Sequence, residues 1–145
     1  MYRLRDGILE VLLIHPGGPY WTRKDAGAWS IPKGELDEDE DPFVTAKREF
    51  VEETGFKPGE TFIELQPIRQ IAGKKVFAWA FEGDCDPGLM VSNTFEIEWP
   101  PRSGKMQTFP EADRAAWFGP VAARKKIIAS QIPFLDELEA VVSAR

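Results

Sequence analysis

The chain has 145 residues, of which 43% are hydrophobic and 12% aromatic, and this is enough apolar material for the core of one domain over residues 1–145. Its net charge of −6 argues against a protein that coats nucleic acid, because such surfaces are basic. No apolar run is long enough to cross a bilayer and no leader-like segment precedes the domain, so we expect no membrane partner and a soluble, cytoplasmic protein. Cys85 is the one cysteine, which fits a reducing compartment.

The N-terminal part predicts a hairpin followed by an aromatic loop. Arg5-Asp6-Gly7 is typical of a turn, and the stretch from Ile8 to Ile14 has the Leu, Ile and Val content of a buried strand. The loop that begins at His15 carries Tyr20 and Trp21, and exposed aromatic rings on a loop can stack on a nucleobase. Packing within the loop is the alternative for both rings. We expect His15 to be structural or solvated.

The stretch from Gly34 to Phe56 predicts a helix with well-marked ends. Asp41 is a good N-cap and Pro42 fits the first helical position. Gly55 suits the left-handed residue that terminates a helix. The helix should therefore run from Pro42 to the residue before Gly55.

Three carboxylates lie at positions i, i+3 and i+4 of this helix and share one face within about one turn: Glu49, Glu52 and Glu53. Like charges so close together repel each other, and a bound divalent cation would remove the conflict. Mg²⁺ and Mn²⁺ take oxygen ligands from carboxylates and phosphates, polarise phosphoryl groups and generate hydroxide. Arg48 precedes Glu52 by one helical turn and is placed to pair with Glu40 or Glu52. A solvated acidic helix is the alternative, but it gives no reason for the spacing of Gly34, Arg48 and Gly55.

The rest of the chain predicts strands and then two helices. Strands are expected over 62–65, 68–71, 75–82 and 94–99, followed by a Trp-containing strand that ends near 118. Helices are expected over 121–129, with a solvated face of Arg124, Lys125 and Lys126, and from Pro133 onward. Lys74 lies at a strand entrance, where binding phosphate and being solvated are equally good interpretations. Arg102-Ser103-Gly104-Lys105 is a basic, glycine-containing loop suited to polyphosphate.

Written as G-x5-E-x7-R-E-U-x-E-E-x-G-U, with U a bulky apolar residue, the acidic stretch resembles the Nudix box at every fixed position. Those positions are Gly34, Glu40, Arg48, Glu49, Phe50, Glu52, Glu53, Gly55 and Phe56. The preceding Trp29-Ser30-Ile31-Pro32-Lys33 is similar to a lead-in common in that family. The resemblance implies an α/β (α+β) fold of the Nudix type, an α/β/α sandwich with a mixed sheet and the box as loop-helix-loop. It also implies a Mg²⁺- or Mn²⁺-dependent hydrolase that cleaves a pyrophosphate bond in a nucleoside diphosphate linked to another group.

The resemblance also implies roles for individual residues. Glu49, Glu52, Glu53 and the Gly34 carbonyl correspond to metal ligands, while Glu40 and Arg48 correspond to supports of the catalytic helix. Several family members carry a further glutamate, as metal ligand or general base, shortly before a Trp-containing strand. Glu111, before Trp117, matches that placement; Glu98 is the second choice, and a surface role is the alternative for either. The catalytic set is then Glu52, Glu53, Glu111 and Arg48, with Glu111 or a box glutamate as base.

Side chains outside the box are expected to bind the nucleotide. Lys33 and Lys105, and then Lys74 and Arg102, would stabilise phosphate oxygens, and Tyr20 and Trp21 would contact a base. The segment from Lys74 to Trp79 and the Phe134-Leu135 ending are similar to asymmetrically cleaving diadenosine tetraphosphate hydrolases. A tyrosine carried by some of those enzymes after the box is missing, as is a proline often found in ADP-ribose enzymes.

We therefore expect a nucleoside polyphosphate substrate, with a dinucleoside polyphosphate as first choice. A nucleoside triphosphate pyrophosphohydrolase, including a housecleaning enzyme for damaged nucleotides, is the alternative. From another functional class, a Nudix-like nucleotide sensor that binds without cleavage is the rival. Such sensors usually lose one or more box glutamates, and this chain keeps all of them. The sequence leaves the oligomeric state open.

Overall fold

The structure is a computed structural model that describes residues 1–33, 39–70 and 73–145. The strands formed by these residues are Tyr2–Arg5 (β1), Ile8–Pro16 (β2), Ile63–Glu64 (β3), Ile68–Arg69 (β4), Lys75–Val76 (β5), Trp79–Ala80 (β6), Thr94–Glu98 (β7), Met106–Pro110 (β8) and Ala112–Phe118 (β9). The α-helices are Pro42–Thr54 (α1), Pro120–Lys126 (α2) and Ile132–Ser143 (α3), and short 3₁₀ turns lie at Pro87–Leu89 and Ala129–Gln131. No helix in the described part of the chain is both long and apolar enough to cross a membrane.

The central sheet has the strand order β1-β2-β9 and is antiparallel. Asp6 and Gly7 have φ angles of 53° and 78°, which gives the tight turn predicted between β1 and β2. Tyr2 adds a parallel bridge to Glu82 after β6, so the sheet system is mixed as expected. The register of β2 against β9 shifts between His15 and Pro16, which is a β-bulge.

The strand expected over 75–82 is wrong as one continuous element. It forms two short pieces, β5 and β6, which pair with β4 and β3 respectively. Three residues on one side, 65–67, face only two on the other, 77–78, so the hairpin contains a bulge. Pro67 lacks an N–H group and cannot donate to the ladder. The neighbouring Gln66 N–H donates instead to the Glu137 carboxylate at 2.8 Å.

The hairpin of β7 and β8 confirms the predicted alternation. Phe95 and Ile97 are half-buried, whereas the intervening Thr94, Glu96 and Glu98 are exposed. One face of the hairpin therefore packs on the protein and the other meets solvent.

The ends of α1 confirm the prediction in detail. The Asp41 side chain accepts hydrogen bonds from the N–H groups of Phe43 and Val44, with Pro42 in the first turn. Gly55 has the left-handed conformation at φ 75° and its N–H closes the helix on the Val51 carbonyl. The local signals were sufficient because each acts within a few residues of the helix end.

The first of the two C-terminal helices is shorter than predicted. α2 ends at Lys126 because the chain turns extended at Ile127, which pairs in parallel with Trp29. The predicted solvated face is confirmed for Lys125, which is exposed, and is wrong for its two neighbours: Arg124 binds Asp136 and Glu139 of α3, and the Lys126 ammonium bonds to Asp25. α3 begins at Ile132, one residue before the predicted start at Pro133.

Helices and sheet share one apolar cluster. Val11 and Leu13 of β2 pack with buried residues of α2, α3 and the bulged hairpin. Leu12 points to the opposite face of the same strand and is only 1% exposed. On α1, Phe50 is buried and packs edge-on against Phe81 at 5.1 Å between centroids. Both sides of the central strand are therefore covered, as in a layered sandwich.

Candidate active site

Glu53 is a buried carboxylate near the C-terminal end of α1. Its side chain is only 8% exposed, and its Oε2 accepts a 2.7 Å hydrogen bond from the Lys33 backbone N–H. Burial, together with the negative charges of Glu49 and Glu111, raises the pKa of Glu53 to about 8 against the opposing hydrogen bond from Lys33. This carboxyl group therefore holds a proton near neutral pH when no cation is present to compensate its charge.

Glu49 lies one turn before Glu53 and has a similar environment. Burial raises its pKa first, followed by the charges of Glu52 and Glu111, whereas Arg48 lowers it. Glu111 acts on both Glu49 and Glu53, so carboxylates of two distant segments meet at one place. Mutual repulsion between clustered carboxylates is typical of a cation site.

Glu111 is placed by main-chain hydrogen bonds at the junction of β8 and β9. Its N–H donates to the Asn93 carbonyl at 2.8 Å, and its carbonyl accepts from the Gly17 N–H at 2.9 Å. The Asn93 N–H in turn donates to the Glu52 carbonyl of α1 at 2.8 Å. These main-chain hydrogen bonds set the position of Glu111 relative to α1.

Two main chains approach closely where the end of β2 meets the junction of β8 and β9, a place here called the Gly17 corner. This close approach requires glycine at position 17. A Cβ atom added at Gly17 would lie 1.9 Å from the carbonyl oxygen of Pro110, which is far inside van der Waals contact. Pro110 directly precedes Glu111. The absence of a side chain at Gly17 therefore lets the end of β2 reach the junction that carries Glu111.

Arg48 joins three carboxylates, of which Glu40 and Glu52 were the predicted partners. Its guanidinium lies 2.7 Å from Glu40 Oε2, 3.3 Å from Glu49 and 3.4 Å from Glu52. Glu40 also accepts a 2.6 Å hydrogen bond from the buried Thr45 hydroxyl. The hydrogen bond to Glu40 is the main cause of the raised pKa of Arg48. Arg48 and Glu40 together hold the loop before α1 against the helix.

A pocket with several lysine side chains in its lining, here called the lysine pocket, opens beside Glu49. Its lining includes Lys33, Lys74 and Lys75 together with Glu49 and the half-buried ring of Phe77, and its cavity volume is about 70 Å³. Partial burial, followed by the charge of Lys74, lowers the pKa of Lys33. A concentration of ammonium groups next to carboxylates is suited to a substrate that carries several negative charges.

The other predicted ligand-binding residues lie elsewhere. Arg102 and Lys105 are exposed at the tip of the β7–β8 hairpin and do not line the lysine pocket. Tyr20 is 60% exposed and packs edge-on against Trp99 at 5.2 Å, beside that tip. Trp21 lies under the Lys24 ammonium, 4.9 Å from the ring centroid. The structure therefore brings Lys33 and Lys74 together and keeps the hairpin cations separate from them.

The carboxylates offer the hard oxygen donors that Mg²⁺ and Mn²⁺ prefer, so the donor set fits such an ion. Within residues 1–33, 39–70 and 73–145, no three acidic, His or Cys side chains already stand at metal-binding distances. Gly34, the proposed carbonyl ligand, lies outside the described residues. Glu98, the second choice for the extra glutamate, is exposed on β7, whereas Glu111 interacts with the helix carboxylates.

Sequence reasoning overlooked several contacts of the site. Thr45 and Asn93 carried no signal, because a hydroxyl bond and a main-chain bond leave no pattern in the sequence. Phe77 was treated only as a strand residue, although it lines the lysine pocket. His15 was correctly expected to be structural, but its partner Asp113 was not identified.

Comparisons with known proteins agree with this architecture. A family model described as "NUDIX domain" matches residues 2–138. No curated protein sequence matches the chain. Among solved structures, an Ap4A hydrolase binary complex from C. elegans is similar with a TM-score of 0.65 and 22% identity, covering 99% of this chain and 95% of that one.

Two further structures are similar to this chain. The NUDIX domain of Shewanella oneidensis NrtR, complexed with ADP ribose, has a TM-score of 0.64 and 16% identity, with 97% of this chain and 82% of that chain covered. The solution structure of the E. coli ORF135 protein has a TM-score of 0.56 and 23% identity, with 99% and 88% covered. At these identities the likenesses show a shared fold, which confirms the predicted fold class.

Proposed function

Since this chain belongs to the Nudix family and is a pyrophosphohydrolase of that family, we propose that it hydrolyses a dinucleoside polyphosphate with the help of Mg²⁺ or Mn²⁺. The observation that carries the proposal is the lysine pocket that opens directly at Glu49, one of the clustered carboxylates. Cations for several phosphates and carboxylates for metal ions are thereby adjacent.

The helix carboxylates are the proposed metal ligands. Glu49, Glu52 and Glu53 present oxygen atoms from one face of α1, and the Gly34 carbonyl and Glu111 would complete the set. A bound Mg²⁺ would polarise the phosphoryl group and lower the pKa of a bound water. The Lys33 N–H fixes Oε2 of Glu53, so this carboxylate is oriented before any ligand arrives.

Glu111 is the proposed general base. It belongs to the end of the sheet, whereas the helix glutamates belong to α1, so it can take a proton from water without giving up the main-chain bonds that position it. Arg48 serves the catalytic helix through its bonds to Glu40 and Glu52. These bonds keep the glutamate face rigid.

Phosphate oxygens would bind to Lys33 and Lys74, which line the pocket at Glu49. Arg102 and Lys105, at the hairpin tip, are proposed to meet a more distant part of the substrate, next to Tyr20 and its neighbouring loop residue Trp21. Cationic groups at two separate places suit a substrate with a long polyphosphate and two nucleosides. This separation favours a dinucleoside polyphosphate over a nucleoside triphosphate, which is our second candidate.

Product analysis tests the substrate. The purified protein and Mg²⁺ would be incubated with diadenosine tetraphosphate, ADP-ribose and a panel of nucleoside triphosphates. We expect ATP and AMP from the first compound at the highest kcat/KM. A preference for a triphosphate would change the proposed substrate but leave the proposed hydrolytic chemistry unchanged. Binding without any cleavage would overturn the proposal in favour of a nucleotide sensor.

Two substitutions test the assigned roles. Glu53→Gln removes a metal ligand and should lower turnover by a factor of roughly 10² or more with the fold intact. Glu111→Gln should lower kcat while Mg²⁺ affinity, measured by calorimetry, changes less. Glu60→Gln, an exposed glutamate of the loop after α1, is the matched control. Full activity of Glu53→Gln would refute the proposed metal site. A normal rate in Glu111→Gln would assign the general base to a glutamate of α1 instead.

A further inference from the structure

The single histidine of the chain is fully buried and holds two acceptors at once. His15 is 0% exposed; its Nδ1 lies 2.9 Å from Asp113 Oδ1, and its Nε2 lies 2.5 Å from the Lys24 carbonyl oxygen. The ring also packs edge-on against Trp29 at 5.2 Å. A buried imidazole with both nitrogens engaged has no freedom to change its hydrogen bonds.

These partners require a proton on each ring nitrogen. A backbone carbonyl only accepts, so Nε2 must carry hydrogen to bond with Lys24. The second contact also needs a proton, because the lone pair of a neutral Nδ1 would face the Asp113 oxygen. Asp113 is 34% exposed to water and accepts this hydrogen bond as a carboxylate, so the ring nitrogen is the donor. The pair is thus an imidazolium bound to a carboxylate.

The hydrogen-bonded set of Asp113, His15 and the Lys24 carbonyl, here called the clamp, joins three segments. Two of them, the end of β2 and the start of β9, adjoin Glu111. His15 ends the regular part of β2 and precedes the bulge that leads to Gly17. The N–H of Gly17 donates to the Glu111 carbonyl, and Asp113 lies just beyond Glu111 on β9. Lys24 belongs to the loop that carries Tyr20. Breaking the clamp would release this loop and the corner that fixes Glu111 in place.

Other charged groups face this ring from the packed elements. Arg114 of β9 lies 3.8 Å from Asp113 and also stacks over Trp29 at 5.2 Å. Asp25 accepts from the Trp29 indole N–H at 2.8 Å and is itself paired with Lys126 of α2. Asp113 is therefore the acidic side chain that contacts the imidazole, and Arg114 is the cation that competes for it.

We propose that His15 is a positioning residue for the hydrolysis: as an imidazolium it ties Asp113 to the Lys24 carbonyl, and it thereby holds the Gly17 corner against Glu111. This role rests on the function proposed above for Glu111. Loss of either hydrogen bond would open the clamp and loosen the chain at Gly17 beside Glu111.

Nuclear magnetic resonance tests the charge state directly, because one histidine gives one set of ring signals. Protein labelled with ¹⁵N-histidine should show hydrogen on both ring nitrogens of His15 at pH 7. A neutral ring with a bare nitrogen toward Asp113 would overturn the proposal. This measurement needs no substrate, so its outcome is separate from that of the proposed function.

Substitutions of Asp113 separate positioning from simple stability. Asp113→Ala removes the partner and should lower kcat about 10- to 100-fold with a smaller change in KM. Asp113→Asn keeps the size of the side chain and an oxygen that can accept from Nδ1–H, so it should retain activity within about threefold. Because both groups act in one clamp, His15→Ala combined with Asp113→Ala should cost little more than either alone.

The control is Asp136→Asn, which removes another aspartate paired with a cation, here Arg124. It should leave kcat and KM unchanged. A wild-type kcat in Asp113→Ala, or a KM that rises as much as kcat falls, would refute the positioning role of His15. Failure of the wild-type protein to hydrolyse any nucleotide would refute the proposed function instead.

Discussion

The buried carboxyl of Glu53 should make the metal-free protein less stable as the pH rises. Its pKa is about 8 in the folded protein, against an ordinary value of 4.5. Between these values the folded state binds a proton that the unfolded state has lost, so the free energy of unfolding decreases with increasing pH. The decrease begins near pH 4.5 and levels off above about pH 8.

The size of the effect follows from the same values. One pKa unit corresponds to about 1.4 kcal/mol, so between pH 5.5 and pH 8.5 Glu53 alone should remove about 3 kcal/mol from the free energy of unfolding. Glu53→Gln keeps the shape and an acceptor for the Lys33 N–H but cannot ionise. The variant should therefore lack this part of the pH dependence and be more stable than the wild type at pH 8.5.

Urea denaturation at several pH values with a chelator present measures both profiles. Glu52→Gln, on the same helix but with a side chain 35% exposed, is the control and should follow the wild type. Mg²⁺ added at pH 8.5 should restore stability to the wild type more than to Glu53→Gln. Parallel profiles for the wild type and Glu53→Gln would show that Glu53 ionises without penalty and would refute the reasoning.

Three further substitutions probe the framework of the site. Gly17→Ala would push a Cβ atom into the Pro110 carbonyl, so we expect a loss of about 1–3 kcal/mol in urea denaturation together with a lower kcat. Gly119→Ala, whose added Cβ would meet only the Leu9 carbonyl oxygen at 4.0 Å, should behave like the wild type. Asp41→Ala removes the N-cap of α1 and should cost about 1 kcal/mol of stability by the same assay; an unchanged midpoint would show that the cap is dispensable. Thr45→Val leaves a carboxylate without its hydroxyl donor and should cost about 1–3 kcal/mol, and a neutral effect would mean that water replaces the hydroxyl.

The catalytic helix could be predicted from the sequence because its signals are local. The cap at Asp41, the stop at Gly55 and the shared face of the glutamates each depend on residues within one or two turns. The pairing of Arg48 with Glu40 and Glu52 was also predictable, since it follows from spacing on the helix and the adjoining loop.

Features that depend on distant partners could not be predicted in the same way. The break between β5 and β6 arises because one side of that hairpin has an extra residue and Pro67 lacks an N–H, and periodicity cannot show a register shift. Arg124 has the appearance of a solvated helix residue until α3 places two acidic side chains beside it. The hydrogen bond of His15 likewise depends on Asp113, a residue of β9 that is distant in the sequence.

The hydrogen bond from the Glu111 N–H to the Asn93 carbonyl closes the β7–β8 hairpin at its base. Residues 94–110 thus form a hairpin whose two ends lie together at one fixed position. Lengthening, shortening or exchanging the tip around Arg102 need not move the carboxylate at the base. Under the function proposed above, the hairpin is a module through which substrate preference can be redesigned, or can diverge during evolution, while the proposed hydrolytic centre stays as it is.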